Sequence, residues 1–110
     1  MPRGLLTDFE LMILLAILRV GDDAYGARIA REIENTGGRM VLISAIYAAL
    51  DRLDAIGLVT STVGDPTPER GGRAKKFFRV TRKGVRAVRD TQRAFIALWT
   101  NVPALDGGRR

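Results

Sequence analysis

Apolar residues recur at helical spacing in three stretches of the first half of the chain. The three sets are Leu11, Leu14, Leu15 and Leu18; Tyr25, Ile29 and Ile33; and Ile46, Leu50 and Leu53. This spacing places each set on one face of a helix. The sequence therefore predicts helices over about residues 7–20, 24–34 and 45–56, separated by glycines. Residues 39–42 form a short apolar crossing between the second and third helices, which could be a brief strand.

The N-termini of the first and third helices carry capping signals. Thr7 and Glu10 have the spacing of a capping box, and Ser44 stands where a cap of the third helix is expected. Apolar residues also occupy the other faces of the first helix. A helix with so little polar surface is expected to be enclosed by its own domain, with a second subunit as further cover.

The pattern changes to a strand-like one after Gly57. Residues 58–63 are rich in β-formers, residues 64–74 are polar with two prolines, and residues 75–80 alternate between polar and apolar. Two such strands joined by a polar turn predict a β-hairpin.

A long last helix is predicted from Arg82, capped by Thr81 and ended before Pro103. It carries a stripe with the three-four spacing of helices that pair with another helix: Val85, Val88, Gln92, Phe95 and Trp99. A helix of about 20 residues is roughly 30 Å long, so we expect an exposed dimerisation arm. The alternative is that the stripe lies on its own domain.

This organisation divides the chain into three parts. Residues 1–80 form the main domain, residues 81–103 the C-terminal dimerisation helix, and residues 104–110 a flexible tail. The fold class is mainly α with a small β-hairpin (α+β). Two helices joined by a glycine-containing turn, a third with a polar outer face and then a basic hairpin are the order of a winged helix-turn-helix, which binds DNA.

Composition restricts the chemistry that the chain can perform. It has 110 residues and neither cysteine nor histidine, which excludes disulfides and thiolate or imidazole metal ligands. No nucleophile, base and orienting group come together in the sequence, so we expect no catalytic residues, no cofactor and no metal. The longest apolar run has eight residues and lacks a signal-peptide pattern. A cytoplasmic protein is expected.

Positive charge is concentrated in one segment. Residues 70–93 hold ten Lys or Arg and one acid, whereas the whole chain has a net charge of +6. Such a segment suits a phosphate backbone, although a solvated basic face would have the same composition. Gly71 and Gly72, beside arginines in the predicted turn, favour close approach to a DNA groove.

Several motifs, in order, resemble the PadR-like family of bacterial transcriptional regulators. They are Leu6-Thr7, the run Leu14-Leu15-Ala16-Ile17-Leu18, Asp23-Ala24-Tyr25-Gly26, Ile46-Tyr47-Ala48-Ala49-Leu50-Asp51-Arg52-Leu53-Asp54, Ile56-Gly57-Leu58-Val59, Arg70-Gly71-Gly72-Arg73 and Phe77-Phe78-Arg79-Val80-Thr81 with Gly84. The resemblance implies a homodimeric repressor that binds a promoter palindrome and releases it on a signal.

The resemblance also concerns the end of the last helix. In small members of the family, a tryptophan in that helix can form part of a pocket for a hydrophobic ligand at the dimer interface. Phe95 and Trp99 stand at a comparable place. The alternative for Trp99 is a residue that packs the dimer without a ligand.

The chain departs from the family pattern at the start of the third helix. Ser44 and Ala45 replace the usual glycine and threonine or serine, and Ala48 stands where proline is frequent. Because these positions begin the helix that faces the groove, the family's base preference does not carry over.

Candidate DNA contacts follow from the winged helix-turn-helix arrangement. Base edges or thymine methyl groups are assigned to Ser44, Tyr47, Ala48 and Asp51, and phosphates beside the major groove to Arg39 and Arg52. Backbone or minor-groove contacts are assigned to Arg70, Arg73, Lys75 and Lys76. Asp51 could instead orient an arginine, and Tyr47 could be packed with its hydroxyl on a phosphate.

Two other functions remain open from the sequence. A winged-helix fold can serve as a protein-interaction module, because fold does not determine function. A basic protein can also bind DNA without sequence preference, as architectural proteins do.

Overall fold

The computed structural model describes residues 4–64 and 75–106, which form four helices and a two-stranded sheet. The helices are α1 (Asp8–Val20), α2 (Gly26–Gly37), α3 (Ile43–Ala55) and α4 (Arg82–Trp99), and the strands are β1 (Val59–Val63) and β2 (Lys76–Val80). Short 3-10 turns lie at Gly21–Asp23 and Pro103–Leu105. The predicted fold class is confirmed.

The core lies where α1, α2 and α3 pack together under the sheet. Its largest fully buried side chains include Ile13 and Leu14 from α1, Ile29 from α2, and Leu50 and Leu53 from α3. In α2 and α3 these residues occupy the inner faces that the apolar spacing predicted. In α1 the prediction was wrong, because Ile13 and Ile17 join Leu14 in the core whereas Leu15 and Leu18 are exposed. The predicted capping box is also present, since Thr7 accepts from the Glu10 amide and Glu10 accepts from the Thr7 amide.

β1 and β2 pair antiparallel, with Val59 opposite Val80 and Val63 opposite Lys76. A third segment adds to β2 from its other side. The Phe78 amide donates to the Ala24 carbonyl at 2.8 Å, and Tyr25 forms an isolated bridge with Phe77. β1 and β2 are thereby attached to the turn that begins α2, and the segment of the chain that joins them, residues 64–75, is here called the wing.

The first half of α4 packs into the same body as the other helices. Thr91 is buried, donates to the Ala87 carbonyl and accepts from the Leu6 amide. Gly84 lies so close to the Leu58 carbonyl and the Val80 side chain that a methyl group there would overlap both. The second half of α4 extends away and is exposed.

Three hydrogen bonds join the start of α4 to the chain leaving α3. The Thr81 amide donates to the Leu58 carbonyl at 3.0 Å, the Thr81 hydroxyl to the Gly57 carbonyl at 2.7 Å, and the Lys83 ammonium to the Ile56 carbonyl at 2.9 Å. We call this set the α3–α4 clasp. Thr81 also caps α4, as predicted, by accepting from the Gly84 amide.

The structure also corrects the predictions for the segment from Asn35 to Ser44. α2 continues through Asn35 to Gly37, because the break is set by Gly38, which adopts a left-handed φ of 72° and donates to the Glu34 carbonyl. The prediction of Ser44 as the cap of α3 is wrong. Leu42 occupies that position without a side-chain cap, and its carbonyl accepts from the Ile46 amide, which places Ser44 inside the first turn. Residues 39–42 form no strand.

The three-part division of the chain stays a prediction. Near the C-terminal end of the chain, residues 103–105 form a 3-10 turn, and residues 107–110 lie outside the described part. Within residues 4–64 and 75–106, no helix is both long and apolar enough to cross a membrane.

Glu32 connects α1 to α2 through a charged cluster. Its carboxylate accepts from Arg19 Nε at 2.7 Å, from the Thr36 hydroxyl at 2.8 Å and from Arg28 Nη1 at 3.0 Å. These hydrogen bonds, that of Arg19 first, lower the pKa of Glu32 from 4.5 to about 2. The folded state therefore favours the ionised carboxylate.

The stability of the fold should consequently depend on Glu32 in acid. A lowered folded-state pKa contributes stability that is complete above the unfolded pKa of 4.5 and is lost as the pH falls towards about 2. Glu32→Gln should reduce the loss of stability across that window, measured by urea unfolding at several pH values. Glu34→Gln, an exposed carboxylate of the same helix, is the control. Equal pH profiles for wild type and Glu32→Gln would contradict the assignment.

Candidate nucleic-acid interface

The outer face of α3 is polar and uncovered. Ser44, Ala48, Asp51 and Arg52 are all exposed, whereas Ile46, Ala49, Leu50 and Leu53 hold the opposite face in the core. The sequence predicted this division from helical periodicity alone. The structure thus brings the four outer residues together on one surface, and their contacts with DNA stay a prediction.

The ring of Tyr47 fits against α2 because the residue that it meets there, Gly26, has no side chain. Tyr47 is 39% exposed, and its ring lies against Gly26, the first residue of α2. A Cβ atom built on Gly26 would overlap the hydroxyl and the outer ring carbons of Tyr47. Glycine at this position therefore lets the first turn of α2 and the outer side of α3 approach each other closely.

Tyr25 secures the base of the wing. It is the N-cap residue of α2, not a member of the helix's inner face as the spacing predicted. Its ring meets Phe77 edge to face, with centroids 5.8 Å apart and planes at 83°. The Lys75 ammonium lies 4.0 Å from the centre of the Tyr25 ring, a cation–π contact. Tyr25 and Gly26 thus contact the two elements predicted to touch DNA.

The predicted wing contacts are only partly within the described residues. Lys75 and Lys76 lie at the root of the wing, where the Gly64 amide donates to the Lys75 carbonyl at 2.8 Å. Lys76 is exposed, and its ammonium lies 5.8 Å from the Phe78 ring centre. Arg70 and Arg73 fall in residues 65–74, outside the described part.

Arg39 lies against the start of α1. Its guanidinium is 3.4 Å from an Asp8 carboxylate oxygen and 5.2 Å from the centre of the Phe9 ring. Because the side chain is 45% exposed, this is a surface ion pair of small energetic value. The assignment of Arg39 to a phosphate stays a prediction.

Comparison with known proteins identifies the family. Residues 14–90, more than half of the chain, match the Transcriptional regulator PadR-like family. The chain belongs to this family. Its members are transcriptional regulators, so the resemblance seen in the motifs and the assignment to a non-enzymatic class are both confirmed.

Solved structures share the fold of this PadR-like chain. A PadR-like transcriptional regulator from Bacillus cereus is 23% identical with a TM-score of 0.72, covering 92% of this chain and 93% of that one. A transcriptional regulator from Clostridium thermocellum is 20% identical, with a TM-score of 0.69 and coverage of 89% and 90%. A PadR family regulator from Eggerthella lenta is 22% identical, with a TM-score of 0.66 and coverage of 80% and 74%. A search of curated proteins found no match.

The stripe predicted to form the dimer interface changes environment along α4. Val85 and Val88 are half-buried, and Val88 packs against the core of its own domain. Gln92, Phe95 and Trp99 are exposed. Both Phe95 and Trp99, the candidate ligand residues, therefore lie on the projecting half of the helix.

Sequence reasoning missed several exposed apolar residues of this PadR-like chain. Ile96 and Leu98 share the end of α4 with Trp99, and Met40, Leu42 and Ile43 precede or begin α3. The runs from 40 to 43 and 95 to 99 were visible as apolar, but helical spacing selects one face and does not show that neighbouring faces also lack cover. Among the described residues, no group of acidic side chains could hold a metal ion.

The contact between Gly26 and Tyr47 can be tested without DNA. Gly26→Ala should displace the tyrosine ring and cost about 1 kcal/mol of unfolding free energy, as mild overpacking does. The same substitution should cost much less in a Tyr47→Ala background, measured as a double-mutant cycle by denaturant unfolding. Gly37→Ala, where an added Cβ meets only ordinary contacts at 3.8 Å, is the matched control. Equal costs in both backgrounds would show that the ring does not occupy this position.

Proposed function

We propose that this PadR-like protein is a homodimeric transcriptional repressor that binds an inverted repeat in duplex DNA and leaves it on a signal. The proposal rests on the contacts of Tyr25 and Gly26, here called the joint. Gly26 lies against Tyr47 of α3, and Tyr25 contacts Phe77 and Lys75 at the root of the basic wing. A helix and a wing fixed in this way can engage a major groove and the adjoining backbone together.

The distribution of charge supports DNA as the partner. Of the ten cationic residues between 70 and 93, Lys75 and Lys76 lie at the wing root and Arg79 lies on β2. Neutralising phosphates with such residues releases condensed counterions and gives affinity for any duplex. Sequence preference is then expected from exposed residues of α3, with Ser44, Tyr47, Ala48 and Asp51 as the candidates on its outer face. A regulator acts where the chromosome lies, so a cytoplasmic location is part of this proposal.

Footprinting on the DNA upstream of the gene, with a salt titration and competitor duplex, tests the function. A protected palindrome that survives competitor is the expected result. Half-sites about 34 Å apart would fit two recognition helices related by a two-fold axis. Uniform protection would indicate an architectural DNA-binding protein, and absence of protection at low salt would favour a protein-interaction module.

Lys75 should contribute a phosphate contact. Lys75→Ala should weaken binding to specific and unrelated duplexes alike and reduce the slope of log affinity against log salt by about one. Fluorescence anisotropy with labelled duplexes across a salt series measures this slope. The control is Arg31→Ala, which removes one positive charge from the exposed side of α2. If the slope changes equally in both variants, Lys75 contributes only through the overall charge of the protein and makes no phosphate contact of its own.

Dimerisation is supported by apolar surface that its own chain leaves uncovered. Phe95, Ile96, Leu98 and Trp99 are between 49% and 77% exposed, and Leu15 and Leu18 of α1 are 41% and 46% exposed. Large apolar side chains exposed together at one end of a helix are typical of an interface. A second copy would bury both sets and would enclose Phe95 and Trp99, where a small hydrophobic ligand could act as the signal.

Trp99 is the single tryptophan of the chain and reports directly on this interface. Its fluorescence should shift to longer wavelength on dilution, as the indole passes from the dimer to water. Phe95→Asp should give a monomer with the red-shifted spectrum at all concentrations, because it introduces a charge into an apolar contact. Sedimentation confirms the masses, with Leu105→Asp, an exposed leucine beyond α4, as control. A concentration-independent spectrum from a sedimenting dimer would remove Trp99 from the interface.

A further inference from the structure

Aliphatic side chains are exposed at the beginning of α3, where the sequence predicted a serine cap. Leu42 is the N-cap residue and is 73% exposed, and Ile43, the first residue of the helix, is 43% exposed. Ala48 follows on the outer face and is also exposed. The start of a recognition helix is the part that approaches base edges most closely. In this chain that part presents aliphatic side chains.

The same two turns lack the side chains that make the strongest base contacts. Residues 43–51 contain no arginine or lysine, which pair bidentately with guanine, and no asparagine or glutamine, which pair with adenine. Their polar groups are the hydroxyls of Ser44 and Tyr47 and the carboxylate of Asp51. Tyr47 is restricted further, because its ring lies against Gly26.

The remaining readout available to aliphatic side chains in a major groove is contact with the C5 methyl group of thymine. We propose that the first turns of α3, through Leu42, Ile43 and Ala48, select the operator by packing against thymine methyl groups. This inference rests on the proposed function. It states which base feature the DNA-binding helix recognises and which residues recognise it.

Positive charge on either side of these aliphatic residues supports DNA as the molecule that they contact. Arg39 lies three residues before Leu42, and Arg52 is exposed on the outer face of α3 beyond Asp51. Exposed aliphatic residues with an arginine on either side along the chain match a groove in which methyl groups lie between two phosphate backbones. The apolar end of α4, by contrast, is a separate surface.

Thymine methyl groups can be removed one at a time. In the duplex defined by footprinting, each thymine is replaced by deoxyuridine, which keeps the hydrogen-bonding groups and deletes only the methyl. At one or more thymines of each half-site, affinity should fall about fourfold, the value of one buried methyl-sized group. Deoxyuridine outside the protected region should have no effect. Replacing a contacted thymine and its adenine by cytosine and guanine should weaken binding of the duplex. A 5-methyl group on that cytosine should restore part of the lost affinity.

Variants assign the methyl contact to the aliphatic residues at the beginning of α3. Leu42→Ser should bind the thymine and deoxyuridine duplexes with nearly equal affinity at the position that Leu42 contacts. Leu105→Ser, the same change at an exposed leucine outside α3, should keep the fourfold difference. Thermal unfolding of both variants verifies that they fold.

The outcomes separate this inference from the function on which it rests. Failure to bind any duplex specifically would overturn the proposed function. Two results would overturn the inference and leave the DNA-binding function intact. One is specific binding that no deoxyuridine substitution weakens. The other is a fourfold difference that remains in all three variants Leu42→Ser, Ile43→Ser and Ala48→Gly.

Discussion

The arrangement of the candidate interface depends on one close approach, that of α3 to the first turn of α2. It exists because Gly26 has no side chain, so the ring of Tyr47 can occupy the space beside it. The preceding residue, Tyr25, contacts Phe77 and Lys75 at the root of the wing. Two consecutive residues therefore contact both α3 and the root of the wing. Neither residue needs to touch DNA to influence where the candidate contact residues lie.

Much of the fold could be predicted from the sequence because its signals are local. The periodicity of Ile46, Leu50 and Leu53, the capping box of Thr7 and Glu10, and the cap at Thr81 depend only on neighbours within one turn of helix. The start of α3 could not be predicted in the same way. Ser44 is a better cap than Leu42 by intrinsic preference, yet the helix begins at Ile43, and the Leu42 carbonyl accepts from the Ile46 amide. A backbone hydrogen bond thus extends the helix beyond the residue that side-chain preference selects.

The candidate site was predictable in part for the same reason. The outer face of α3 follows from periodicity, but the joint at Tyr25 and Gly26 depends on contacts with residues 47, 75 and 77, which no spacing rule connects. The stripe on α4 was seen as one line of residues. Its division into a packed half at Val88 and an exposed half at Phe95 and Trp99 is set by where the rest of the domain ends. That boundary is a property of the three-dimensional body and is invisible in a single helix.

The α3–α4 clasp has a mechanical consequence. α4 is continuous from Arg82 to Trp99, and its first residues are hydrogen-bonded to the Ile56, Gly57 and Leu58 carbonyls that follow α3. α4 contains no proline, and a helix without a kink curves only gently over such a length. A change in the angle of the whole helix would therefore either rotate the carboxyl end of α3 or break these hydrogen bonds. The angle of α4 is thereby tied to the orientation of α3, the helix that carries the candidate DNA contacts.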